Sequence, residues 1–158
     1  MDSARRDGLA ERAGQAGGPV GRARVMRLLR SIGAVLAGFL ATALLSVGTD
    51  AILHATGVFP EGRMPDLFFV LPAVYRAVFT VAGGYLTARL APRLPYLHAG
   101  ILAALGLLGG LGGVMVALAQ PELGPLWYAL SIPLSALPCI WLGAHLAGTG
   151  SAPQLGPS

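Results

Sequence analysis

The stretch from Asp66 to Pro92, DLFFVLPAVYRAVFTVAGGYLTARLAP, decides how this chain is read. From Leu67 to Leu90 it is long and apolar enough to cross a bilayer, for which ~20 residues of helix suffice. Arg76 stands near the middle of that crossing. A guanidinium at such depth is costly and needs an acid, backbone carbonyls or water beside it. One segment therefore sets two expectations: a membrane span, and a polar partner elsewhere in the chain.

The composition agrees with a membrane protein. Of 158 residues, 54% are apolar and 11% charged, against about 25% charged in soluble domains. The 23 Gly and 12 Pro fall largely within and between long apolar runs, which reads as helical membrane protein rather than low complexity. All 11 basic residues are Arg, and Lys and Asn are absent. With the Ala, Gly and Leu bias, this points to a GC-rich bacterial genome. A net charge of +4 is no nucleic-acid footprint, because seven of the Arg precede Ser31. A single cysteine, Cys139, excludes an intrachain disulfide and a multi-cysteine metal site. It is expected in the core.

Working outward from the decisive span, three more crossings are predicted. The first runs from Ser31 to Ala55, with no charge from Ser31 to Thr49. Gly33, Ala37, Gly38 and Ala41 give it a small-residue face. A cleaved signal peptide competes, since basic residues precede the run and Ala41-Thr42-Ala43 resembles a cleavage site. The apolar run continues to Leu53, which favours an uncleaved helix. The third crossing spans Leu97 to Leu118, after a turn built from Pro92, Arg93 and Pro95. Gly106, Gly109, Gly110 and Gly113 form two overlapping GxxxG spacings and are predicted to pack against neighbours. The fourth runs from Leu126 to Leu146. Trp127 and Tyr128 suit a head-group belt. Pro133 and Pro138 should kink it, with Ser131 and Ser135 placed to satisfy freed carbonyls.

The remaining segments are polar. Residues 1–30 read as a basic cytoplasmic tail, disordered from Met1 to Gly21 and basic and amphipathic from Arg22 to Arg30. Residues 148–158 read as a flexible tail. The excess of Arg before Ser31, with Arg89 and Arg93 at the second turn, places both termini inside. The expected architecture is thus an all-α membrane protein: four transmembrane helices over 31–147, both termini cytoplasmic, neighbours antiparallel because every connection is short.

The polar residues inside this domain carry whatever chemistry it has. Asp50 sits ~10 Å and Arg76 ~15 Å below the Gly57–Asp66 loop, at ~1.5 Å per residue. They can therefore pair across the first two helices. His54 shares a helix face with Asp50, four residues on. Tyr75 and Thr80 lie near Arg76, and Thr49 is a candidate hydrogen-bonding neighbour. Two readings stay open. In one, the ion pair fixes helix register. In the other, Asp50, His54, Tyr75, Arg76 and Thr80 line a polar intramembrane site that binds a solute or passes a proton. His98 and His145 are expected at the opposite membrane surface from His54, as interfacial residues, with Tyr85, Arg89 and Tyr96 as anchors. Three histidines split between two faces hold no metal. The sequence shows no catalytic constellation, phosphate loop or paired carboxylates, and no cofactor site is read.

The run YRAVFTVAGGYLTARLAP, then His98-Ala99, Gly124-Pro125-Leu126-Trp127-Tyr128 and LPCIWLG, resembles an uncharacterised group of small bacterial integral membrane proteins. Thr49-Asp50 belongs to the same pattern, and GGYLTARLAP, Gly83 to Pro92, is its most specific part. The resemblance covers about residues 31–146. It implies four helices in a bacterial inner membrane and no known activity. Small multidrug exporters match in helix count alone, with their essential acid earlier in the chain. The expected function is a non-enzymatic accessory or interacting subunit, with a small transporter or proton-coupled carrier as the alternative. The expected partners are the lipid bilayer and a second copy or another membrane subunit, with no nucleic acid.

Overall fold

The fold is known from a computed structural model that describes residues 18–60 and 64–149. Four α-helices make up nearly all of it: α1 Pro19–Ala55, α2 Val70–Leu90, α3 Pro95–Ala119 and α4 Leu126–Thr149. Each contains a span long and apolar enough to cross a membrane. Four crossings of alternating direction return the chain to the face from which it started. We call that face the tail end, and the one carrying residues 56–60 and 64–69 the loop end.

α1 differs from the expectation for residues 1–30. Residues 1–17 lie outside the described ones, but Pro19 to Arg30 is helix, continuous with the span. Proline opens a helix without losing a hydrogen bond, and after Gly21 in the first turn the Arg, Ala, Val, Met and Leu up to Arg30 include no breaker. The 37-residue helix is ~55 Å long at ~1.5 Å per residue, well beyond a ~30 Å hydrocarbon core. Its first turns therefore stand clear of the bilayer at the tail end. Arg22, Arg24, Arg27 and Arg30 are exposed there. At the loop end α1 closes on Gly57, whose φ of +72° a side chain would resist. Gly57 N donates to His54 O and Phe59 N to Leu53 O. At the other extreme, α4 runs on through Gly148 to Thr149, so the flexible tail begins later than expected; 150–158 lie outside the described residues.

The helices do not pack evenly along their length. α2 lies against α1 on one side and α4 on the other, α3 packs on α4, and the α1–α3 seam is thin. The tail half is tight. Val35, Ala88, Ala99, Leu102, Ala103, Ile140, Ala144 and Ala147 form its buried cluster. Lipid tails are as apolar as leucine, so packing rather than hydrophobic transfer must hold this interface, and packing favours small residues. The closest approaches are at glycine. A methyl group on Gly143 would come within 2.1 Å of Val81 O, and one on Gly84 within 2.5 Å of Ile140 O. Across the other seam, one on Gly38 would meet Gly83 O at 2.5 Å.

The expected glycine contacts need correcting on this point. In α3, Gly110 lies against Pro133 of α4 and Gly106 makes ordinary contact with Ala136, but Gly109 and Gly113 have nothing within 4 Å. Gly33 of α1 is equally open. The GxxxG spacing puts four glycines on a helix too broad a stripe for one neighbour to cover. Only the side facing α4 is in contact.

α4 runs uninterrupted through Pro133 and Pro138. Ser131 and Ser135 donate to Tyr128 O (2.7 Å) and Ile132 O (3.1 Å). These are not the carbonyls of Ala129 and Leu134, which the prolines release. Cys139 is half-exposed rather than core. His98 lies in the first turn of α3 and is buried there, its Nδ1 donating to Leu94 O at 3.1 Å. His145 is exposed as expected.

Leu94, which opens α3, holds a left-handed backbone with φ 49° and ψ 62°. That conformation costs a side-chain-bearing residue roughly 1–2 kcal/mol, and Leu94 is exposed, so it recovers little by packing. Leu94→Gly is therefore expected to stabilise the bundle by up to ~1 kcal/mol, after the greater entropy of glycine in the unfolded chain is set against the relief. The melting temperature in detergent should rise. A fall would show that the Leu94 side chain packs against lipid or detergent at the tail end.

Candidate functional site

The loop half of the bundle is looser, and the polar residues sit there. Asp50 of α1 and Arg76 of α2 form an ion pair, Arg76 Nη2 donating to Asp50 Oδ2. Tyr75 donates its hydroxyl to the other carboxylate oxygen, Oδ1. One acid thus receives two donors from consecutive residues of the facing helix. Both Asp50 and Arg76 approach from the loop end, as their depths require. The guanidinium carbon of Arg76 lies 5.9 Å from the ring centroid of Tyr128 on α4, within the range of cation–π attraction. Phe69 packs on that ring from the loop end, at 5.1 Å between centroids.

Two of the expected members stand differently. Thr80 donates to the main-chain carbonyl of Arg76 at 2.7 Å and so steadies α2 rather than the guanidinium. His54 Nδ1 donates to the main-chain carbonyl of Asp50 at 2.8 Å, and its ring meets Phe59 edge-on at 5.2 Å. The i,i+4 spacing did put His54 beside Asp50, but the nearer acceptor was the helix carbonyl, not the carboxylate. Thr49 makes no hydrogen bond among the described residues. Tyr128, expected in the head-group belt, turns inward, whereas Trp127 stays exposed. An amphipathic ring at a helix start satisfies either position, and only the presence of Arg76 on the neighbouring helix selects the inner one.

The pair is not sealed. The Asp50 and Arg76 side chains are 27% and 32% exposed. Both line a cavity of about 230 Å³ toward the loop end, with His54, Phe69, Glu122 and Tyr128 among its walls. Arg76 also lines a second cavity of about 250 Å³ on the side toward the tail end, together with Thr42, Ser46 and Thr80. Arg76 therefore borders both cavities. Its Nε is buried with no acceptor among the described residues. Thr42 bridges the helices below, donating to Gly38 O (3.0 Å) and Phe79 O (3.2 Å), at the middle of the Ala41–Ala43 run that resembled a cleavage site. No group of three or more potential metal-binding side chains occurs among the described residues.

Fold and site together define a multi-pass membrane protein of four helices with a charged cluster inside the membrane-spanning region. Comparison with models of protein families, with curated proteins and with solved structures returned no match.

Proposed function

We propose that this chain is a small, non-enzymatic carrier in which Asp50 and Arg76 exchange partners as a proton and a solute pass. The observation that carries this reading is an ion pair, a quarter to a third exposed, whose arginine borders two cavities while its acid faces one of them. A pair whose sole task was helix register would need no cavity on either side of its arginine, and the tail half shows how closely these helices can pack. Intramembrane charges facing a cavity are typical of solute and proton pathways. In the described conformation the site opens toward the loop end, while the Gly38–Gly83 and Gly84–Gly143 contacts close the tail end. Protonation of Asp50 would cancel its charge and leave Arg76 free for another anion.

The same proposal places the protein in a bacterial inner membrane with both termini cytoplasmic. Arg22, Arg24, Arg27, Arg30, Arg89 and Arg93 gather at the tail end, which the positive-inside rule assigns to the cytoplasm. The Arg-only basic composition and the resemblance around GGYLTARLAP support a bacterial source.

A second reading, an accessory subunit or homodimer, is favoured by α3. Its Gly109, Gly112 and Gly113 share one side of the helix and meet nothing among the described residues within 4 Å, and small residues permit close helix contact. A particle mass in nanodiscs above that of one chain would favour it.

The carrier reading is tested in proteoliposomes holding an internal pH dye, under an inward-negative potassium diffusion potential. Wild-type protein should admit protons faster than protein-free vesicles, and Asp50→Asn should not. Equal flux in wild type and Asp50→Asn would remove proton coupling and leave the accessory role.

A further inference from the structure

We infer that the second cavity is the binding site of a medium-chain carboxylate, which enters from the bilayer between α1 and α3 and places its head on Arg76. This rests on the carrier reading and names its substrate class. The argument begins with charge. Arg76 is the one charged residue lining the 250 Å³ cavity; the acids Asp50 and Glu122 line the other. The cavity toward the tail end is therefore the electropositive one, and suits an anion.

Unused hydrogen-bonding capacity points to the same place. Arg76 Nε is buried and finds no acceptor among the described residues. Ser46 is buried and lines the cavity, and its hydroxyl makes no hydrogen bond among the described residues. Thr42 and Thr80 have already given their protons to carbonyls. A ligand head beside Arg76 would accept from the Ser46 hydroxyl, the one hydroxyl lining this cavity that makes no hydrogen bond among the described residues, and Arg76 Nε, closed off in this conformation, would join it as the guanidinium turns from Asp50.

The remaining walls are apolar, with Leu102, Ile132 and Ile140 among them. At ~30 Å³ per water-sized group the cavity has room for roughly eight such groups. That is the size of a medium acyl chain and far more than acetate needs. Its α1 rim is formed by Phe39 and Val47, both exposed on the lipid-facing side. On the α3 side the cavity is lined by Leu102 and Gly106, and the α1–α3 seam beside them is thin. An acyl tail can thus lie between helices with its end in the hydrocarbon.

The coupling follows from one cation serving two anions. As the ligand carboxylate takes Arg76, the Asp50 carboxylate takes up one proton, and the charge of the site is unchanged. Tyr75 and Arg76 of α2 face Asp50 directly, and Tyr128 of α4 lies behind Arg76. His54 and Glu122 stand in the loop-end cavity, and α3 brings no titratable side chain to this half of the bundle.

The test is a titration of octanoate, labelled with carbon-13 at the carboxyl, into the full chain in nanodiscs, read by the carboxyl shift. Expected is a saturable shift absent from empty nanodiscs. Asp50→Asn, which leaves Arg76 without its carboxylate, should bind about 10-fold more tightly. Ser46→Leu, which removes a donor and fills the cavity, should bind at least ~10-fold more weakly. Gly106→Leu fills the same space from α3 and replaces Ser46→Leu should that variant fail to fold. Octylammonium and acetate should not compete. The inference is overturned if neither wild type nor Asp50→Asn gives a saturable shift, if octylammonium displaces octanoate, or if acetate competes as well as octanoate does. The proton-flux assay is run without and with octanoate, so its failure and this one are read separately: saturable binding with no added flux in either condition leaves a carboxylate site in a protein that is no carrier.

Discussion

Gly143→Ala is expected to abolish the folded bundle, while Gly113→Ala leaves it intact. The added methyl group on Gly143 would sit 2.1 Å from Val81 O and 2.6 Å from Tyr85 N, against ~3.5–4.0 Å for a relaxed contact. Both obstacles are backbone atoms of α2, so no rotamer can relieve the clash. The helices would have to separate by more than 1 Å along the seam that carries Gly84, Ile140 and Ala144. In a bilayer, where dispersion and close approach replace the hydrophobic effect, that seam is the source of the stability. A cost above about 3 kcal/mol follows, at or beyond the upper end of ordinary overpacking. Gly113 faces open space. There an alanine gains helix propensity of up to ~1 kcal/mol. Size-exclusion profiles and melting temperatures in detergent compare the two directly. Equal tolerance of both would mean that α2 and α4 are held by something other than their glycines.

This contrast also shows what could be read from the chain without its structure. The four crossings, their order and their bounds within a few residues were legible, because nothing else explains apolar runs of that length separated by Pro and Gly. The buried stripe of α4 was legible in principle: Ala129, Ala136, Ile140, Ala144 and Ala147 recur at helical spacing, and all are buried. Which glycines matter was not. Gly83 and Gly84 stand side by side in α2 and make the close contacts, yet the GxxxG spacing occurs in α3. Spacing describes one helix, whereas a close approach belongs to two, and the partner's rotation is absent from a one-dimensional pattern. For the same reason Asp50 and Arg76 could be paired by depth alone, since antiparallel neighbours share a depth scale. His54 and Tyr128 could not be placed, because each had two satisfactory positions at its depth and the choice depended on what stood opposite. The continuation of α1 through Arg22–Arg30 was misread for a different reason. The Arg22–Arg30 stretch reads as a basic amphipathic segment apart from the span, although nothing between Arg22 and Ser31 breaks a helix.

The ion pair itself gives the second large effect. Asp50→Leu and Arg76→Leu should each destabilise the protein by about 1–3 kcal/mol. Breaking a fully buried pair costs roughly 3–5 kcal/mol, because the survivor keeps its charge without compensation. Here the side chains are 27% and 32% exposed, so water from the loop-end cavity reaches the survivor and the cost is lower. The two losses are not of one kind. Asp50→Leu strands Arg76 against the Tyr128 ring and removes the acceptor of Tyr75. Arg76→Leu leaves Asp50 with Tyr75 still donating to it, and should be the milder change. The double variant should recover most of the loss, since no charge remains to be compensated. It should still fall short of wild type by ~1 kcal/mol, because the Tyr75 hydroxyl has lost its acceptor. Adding Tyr75→Phe should remove that remainder. Unfolding of the whole series in detergent measures the coupling: strong non-additivity is expected of residues in contact. Simple addition of the two single effects would mean that Arg76 draws its compensation from water or a bound anion rather than from Asp50. Recovery of stability says nothing about transport, and there the two readings of the site part. A carrier rebuilt with an apolar Asp50→Leu, Arg76→Leu centre folds and moves no protons, whereas an accessory subunit so rebuilt keeps its role.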